Sequence, residues 1–160
     1  MNVVASGSMQ DARDPAFPAS IVQAAREQGL EDQFHFLGLV PRSDIPLLMQ
    51  AAVAVVNPSL FEGWSTVVEE AKSLGVALVL SDLGVHREQA PARARFFDPR
   101  DATALADALA VEWQREQGSA SEGALRYKSA KIANEMARAV FAQRFAALCA
   151  ETIQVTADGT

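Results

Sequence analysis

The chain has 160 residues, 49% of them hydrophobic and 21% charged, and carries a net charge of −6. This composition suits one globular domain with its own core, and an acidic balance with no basic cluster argues against nucleic acid as a partner. The lone Cys149 excludes an internal disulfide, and His35 and His86 offer no metal-ligand spacing with it; no apolar run of about 18 residues is present to span a membrane, and no signal peptide is visible, so a soluble chain is expected.

Taken in order, Val3 to Gly7 reads as a short buried strand ending in a turn, followed by a polar loop from Ser8 to Pro18. A helix is predicted over Ala19 to Gln28, stopped by Gly29. Phe34 to Leu37 is the next strand, closed by Gly38, and there His35 suits a hydrogen-bonded structural role better than that of a base. Ser43 or Asp44 caps a helix with Pro46 in its first turn, running to Ala51. The apolar run Val53 to Val56 reads as a strand buried on both faces. A helix with Val67, Val68, Ala71 and Leu74 on one stripe follows and stops at Gly75. Val76 to Leu80 is another continuous apolar strand, and Arg95 to Phe97 a short last one. A helix is expected from Ala102 to about Gln117, with Leu105, Leu109 and Trp113 along one face. Gly118 to Gly123 reads as a linker, and a second helix runs roughly from Ala124 to Ala150 before a weakly patterned tail. Strands alternating with helices at this interval predict a parallel, Rossmann-like sheet flanked by helices. The organisation expected is residues 1–117 as the binding domain, 118–150 as a helical segment packed on it, and 151–160 as a tail.

The segment Asn57 to Ala71 joins the strand at Val53 to the next helix through a loop with a glycine, hydroxyls and acids. In open α/β sheets ligands sit at this carboxyl end, and the N–H groups opening the helix are suited to phosphate oxygens. Thr66 and Glu69 fit a capping box, which gives Glu69 a structural task. Glu70 lies at the edge of the apolar stripe, where it is either a solvated helix edge or an acceptor for sugar hydroxyls. His86 lies beside Arg87 and Glu88 near the same side. No nucleophile motif accompanies it, so a helix-entry or loop role is favoured. Arg87 suits a phosphate contact or plain solvent exposure.

Pro58-Ser59, Glu62-Gly63-Trp64 and Glu70-Ala71, with the second glutamate eight positions after the first, resemble the signature of the group 1, retaining, nucleotide-sugar-dependent glycosyltransferases of the GT-B fold. The likeness continues through Val79-Leu80-Ser81-Asp82 and His86-Arg87-Glu88, and covers roughly Val3 to Trp113. It implies that Glu62 touches the donor sugar near the reacting carbon and that Glu70 binds the ribose hydroxyls. It further implies that the backbone around Gly63, Trp64, Ser65, Thr66 and Val67 lines the donor site, with the amides of Ser65, Thr66 and Val67 on the diphosphate. The base is implied to lie against the loop from Gly38 to Arg42, including Val40. The family often has Gly-Leu-Pro where this chain has Ser65-Thr66-Val67, a departure that keeps the backbone donors. No cofactor or metal is called for besides the nucleoside diphosphate sugar itself.

The resemblance further implies that the chain is the donor-binding, C-terminal half of a GT-B enzyme lacking its first strand, together with the arginine and lysine that neutralise the diphosphate; Arg13 matches neither cation. The absent strand would lie at the sheet centre beside Val53, leaving unpaired backbone and apolar surface. The expectation is transfer of a hexosyl group with retention to a glycan or lipid-linked acceptor, as in polysaccharide biosynthesis. A missing N-terminal acceptor domain or partner chain would complete the enzyme, this chain alone being inactive. A cytoplasmic location is expected, at the membrane surface in the complete enzyme. The alternative is a non-catalytic module that binds a nucleotide or a partner. A dinucleotide-dependent oxidoreductase is disfavoured, because no Gly-x-Gly-x-x-Gly follows any strand.

Overall fold

The structure is a computed structural model and describes residues 1–12, 14–89, 91–117 and 123–157. Arg13, residues 118–122 of the linker expected at 118–123, and residues 158–160 of the expected tail lie outside the described residues; Gly123 opens a helix instead. Two compact units emerge, Met1–Leu47 and Leu48–Thr160.

The first unit pairs β1 (Val3–Ser6) in parallel with β2 (Phe34–Gly38), Val3 opposite Phe34, with a register shift between Ala5 and Ser6. Between the two strands runs α1 (Phe17–Glu27), which starts earlier than its apolar pattern indicates because Pro18 fits the first turn of a helix. Gly29, at φ 64°, ends it: the Gly29 N–H donates to Arg26 O at 2.9 Å and the Leu30 N–H to Ala25 O at 2.8 Å, the paired bonds of a Schellman motif. β1 was expected to be buried, yet its residues alternate between half-buried and exposed, and His35 is exposed in β2. No described residue of 1–47 is buried.

The second unit follows α2 (Ile45–Ala51), which begins just before the division, and is built on the parallel order β3 (Val55–Asn57), β4 (Leu78–Ser81), β5 (Ala94–Phe97). Val55 faces Leu78 and Asn57 faces Leu80; Leu78 faces Ala94 and Ser81 faces Phe97. The strands are joined by α3 (Thr66–Leu74) and α4 (Gly84–Glu88) and followed by α5 (Ala102–Gln117) and α6 (Gly123–Ala157). Every residue of β4 is buried, as a strand covered on both faces requires. Burying Leu78 and Leu80 contributes roughly 1.5–3 kcal/mol each. Val79 packs with Phe97 and Ala108, against which Leu105 and Leu109 of α5 close. Asp101 caps α5, its Oδ1 accepting the Thr103 N–H at 2.9 Å and the Ala104 N–H at 3.0 Å.

β3 departs from the two-faced burial expected of it, since Val56 is 38% exposed and the strand pairs only with β4 among the described residues. A continuous apolar run shows that a strand can be covered on both faces, not that covering layers are present. α6 extends beyond the expected Ala150 to Ala157, so its helical period outlasts the weakening of its apolar pattern. Its first turns pack on α3. Beyond Ala130 the described side chains are exposed, among them Ile132, Met136, Phe141 and Phe145. No helix among the described residues is long and apolar enough to cross a membrane.

Candidate functional site

The carboxyl ends of β3 and β4 carry polar residues at the points where their apolar runs stop. Asn57 closes β3 and Ser81 closes β4; they are 7% and 0% exposed, so each must find hydrogen-bond partners within the fold. The Ser81 hydroxyl donates to the Asn57 carbonyl at 3.4 Å, tying the two strand ends together. The Asn57 side chain then reaches along the loop that follows. Its Nδ2 donates to Glu62 Oε1 at 3.0 Å and to Ser65 Oγ at 3.1 Å, while its Oδ1 accepts the Ser59 N–H at 3.1 Å. Ser59 Oγ adds a second bond to Glu62 Oε1, at 2.9 Å. Glu62 is thus a half-buried carboxylate held by two donors.

α3 starts directly behind it. The N-cap is Ser65, in extended conformation and 3% exposed, rather than Thr66. No side-chain capping bond is made at this helix start; Ser65 Oγ accepts from Asn57 Nδ2. The capping-box reading of Glu69 is corrected too: its Oε1 accepts from Lys72 Nζ at 3.1 Å and from Gln89 Nε2 at 2.9 Å. Gln89 Nε2 also donates to Ser65 O at 2.8 Å, so the residue after α4 braces the first turn of α3. The Glu69 N–H donates to Ser65 O at 3.4 Å; the amides before it have no acceptor inside the helix, the arrangement that suits an anion.

Of the residues singled out from sequence, Glu62 and Ser65 are joined through Asn57. Gly63, Trp64, Thr66 and Val67 lie exposed around the helix start, Trp64 at 54%. Val67 leaves the apolar stripe, which is carried by Val68, Ala71 and the half-buried Leu74. Glu70 is half-buried on the first turns of α3. Gly38, which ends β2 with φ 66° and accepts the Gly7 N–H at 2.8 Å, belongs to the first unit, as does the half-buried Val40. Asn57, Ser59, Ser81 and Gln89 were missed as site residues. Their bonds link positions up to 24 apart, which no periodicity encodes. The one signal available was a polar residue, Asn57, ending an apolar strand ahead of a proline.

His86 is on α4, wholly buried, with Nδ1 2.8 Å from the Ser81 carbonyl. A carbonyl only accepts, so Nδ1 carries the proton, and the ring serves the strand end rather than solvent chemistry. Arg87 is engaged as well. Its Nε and Nη2 donate to the two carboxylate oxygens of Asp82 at 2.7 and 2.8 Å, and its guanidinium lies 3.9 Å from the Phe96 ring centroid. This bidentate bond holds the Asp82 carboxyl below its usual range and raises Arg87. Among the described residues no group of three acids, histidines or cysteines is placed to hold a metal ion. A cavity of about 290 Å³ lies at the opposite, amino-terminal ends of the strands, lined in part by Val53, Leu74, Val76, Ala77 and Arg93, and none of Asn57, Ser59, Glu62, Ser65 and Gln89 borders it.

Residues 2–116 match the family described as glycosyl transferases group 1. Over 75 residues the chain is 36% identical to the O-antigen chain mannosyltransferase B of Escherichia coli, an alignment that takes in 47% of this chain and 20% of that protein. Among solved structures, Anabaena HepE in complex with UDP superposes with a TM-score of 0.69 at 22% identity, covering 89% of this chain and 41% of that one. The sucrose-phosphate synthase of Thermosynechococcus elongatus gives 0.61 at 24% identity, covering 90% and 38%. The fold is accordingly the α/β, parallel-sheet architecture of GT-B proteins, and the chain spans about two fifths or less of the length of these relatives.

Proposed function

The chain belongs to the group 1 glycosyltransferases, and on that footing we propose that it is the donor-binding portion of an enzyme that moves a hexosyl group from a nucleoside diphosphate sugar, with retention, to a glycan or lipid-linked acceptor. The observation that carries this reading is a carboxylate, Glu62, fixed by Asn57 and Ser59 at the carboxyl end of β3 and immediately before the start of α3. A departing diphosphate needs positive potential, and the opening amides of α3 at Ser65, Thr66 and Val67 offer it without a bound cation. An oxocarbenium-like sugar needs its hydroxyls fixed, and Glu62 is a carboxylate whose own position is already fixed. Glu70, on the same helix, takes the ribose hydroxyls. Gly63 and Trp64 line the approach. No metal or other cofactor enters this scheme.

The acceptor is assigned to further chain, either the rest of a longer polypeptide or a partner. Three observations support this: the fraction of the relatives that is spanned, the single paired edge of β3 among the described residues, and the exposed apolar side chains along α6. The complete enzyme would work in the cytoplasm, at the membrane surface if its acceptor is lipid-linked, in polysaccharide synthesis.

The test is calorimetric titration of the folded chain with UDP, GDP and ADP, beside Glu70→Ala. Saturable binding to one of them is expected, weakened about tenfold, or roughly 1.4 kcal/mol, by the substitution. A folded chain that binds none of the three would favour a non-catalytic, partner-binding module.

A further inference from the structure

We infer that Asn57 is a positioning residue that fixes Glu62 and the start of α3 as one unit, so that the sugar-facing acid and the phosphate-facing amides keep a set relation; the inference rests on the donor-site reading above. The amide of Asn57 has two donors and one carbonyl acceptor. One N–H is given to Glu62 Oε1 and the other to Ser65 Oγ, and the carbonyl takes the Ser59 N–H. This orientation is dictated by chemistry. With oxygen and nitrogen exchanged, the amide carbonyl would oppose the Glu62 carboxylate and the NH₂ would oppose the Ser59 N–H.

Both Asn57 and Ser59 place their hydrogen bonds on the same Glu62 oxygen, Oε1. The acceptor capacity of Oε2 is therefore not spent on either of them and stays with the ligand. A carboxylate held through one oxygen by two donors loses the rotation that would average its two oxygens. Asn57 is in turn fixed by the β3–β4 pairing and by Ser81, so the reference point for Glu62 is the buried strand end and not the exposed loop. Leu60, Phe61, Gly63 and Trp64, which flank Glu62, are all exposed and give it little support of their own.

The experiment has one arm without ligand and one with it. In the ligand-free chain, the two Asn57 side-chain amide protons are followed by NMR in wild type, Glu62→Gln and Ser65→Ala. The expected result is two well-separated, slowly exchanging protons, one shifted by Glu62→Gln and the other by Ser65→Ala. Rapidly exchanging protons that respond to neither substitution would overturn the inference. In the second arm, UDP and UDP-glucose, and GDP and GDP-mannose, are titrated into wild type, Asn57→Ala, Glu62→Ala and the double variant. Asn57→Ala is expected to lose about tenfold in the preference for sugar nucleotide over bare nucleotide, and the double variant to lose no more than Glu62→Ala alone. Additive losses would show that Asn57 does not act through Glu62, and a merely structural role would leave the preference unmoved. If the amide protons respond as expected and no nucleotide or nucleotide sugar binds, the donor-site reading fails while the fixation of Glu62 and Ser65 by Asn57 stands.

Discussion

Asp82 and Arg87 face one another across the turn from β4 to α4, with side chains 46% and 55% exposed. Their bidentate bond holds the Asp82 carboxyl below its unshifted value of 3.8. The folded chain therefore holds that proton less tightly than the unfolded chain does. The pair's contribution to stability is complete above that value and is lost as acid titrates the folded carboxyl. For an exposed pair the contribution is small. Asp82→Asn should lower the urea midpoint slightly at about pH 7, and the difference from wild type should shrink only once the pH falls below the unshifted value of 3.8. The same residues show what a sequence conceals at this scale. Arg87 read as a phosphate ligand or a solvated cation because its neighbours in sequence do not disclose that Asp82 and the Phe96 ring surround it. Glu62 and Glu70 stood out because they match the family signature, and Glu70 also because it lies at the edge of an apolar stripe. Asn57 did not, because its role lies in bonds to residues five and eight positions on.

α3 is the element on which the site rests, and its far end is as constrained as its start. Gly75 closes it at φ 69°, where an added Cβ would lie 2.8 Å from the Arg126 carbonyl oxygen and 3.1 Å from Ala130 Cβ. Both the left-handed backbone and the close approach of α6 call for glycine. Gly75→Ala should destabilise the chain by about 2–3 kcal/mol, read from the denaturant midpoint. Strand and helix identities were legible through most of the second unit because apolar runs and helical stripes differ in period; the one-turn α4, too short to show a stripe, was not. β4 was also legible in its burial. β3 was not, since Val53 to Val56 is as apolar as a covered strand although Val56 is exposed. The N-cap was misplaced by one residue because Thr66 and Glu69 satisfy a capping-box spacing, whereas the helix is entered through Ser65 and Glu69 bonds Lys72 and Gln89.

Across the whole molecule, burial is unevenly divided. All the buried described residues lie in 48–160, and the β1–β2 pair with α1 has none. A unit of 47 residues with half-buried but no buried side chains among its described residues offsets little of its own ordering entropy. Its strands should open without waiting for global unfolding. Amide hydrogen exchange should show this directly, with β1 and β2 exchanging orders of magnitude faster than Leu78 to Leu80 of β4. An ordering equilibrium confined to residues 1–47 has a consequence for anything that binds there. A ligand or partner that takes only the ordered form of β1 and β2 draws the equilibrium toward it. Part of its intrinsic affinity goes into ordering those strands, so the measured affinity understates the strength of the contacts. Slowed exchange in β1 and β2, with β4 unchanged, is the signature by which such occupancy would be read.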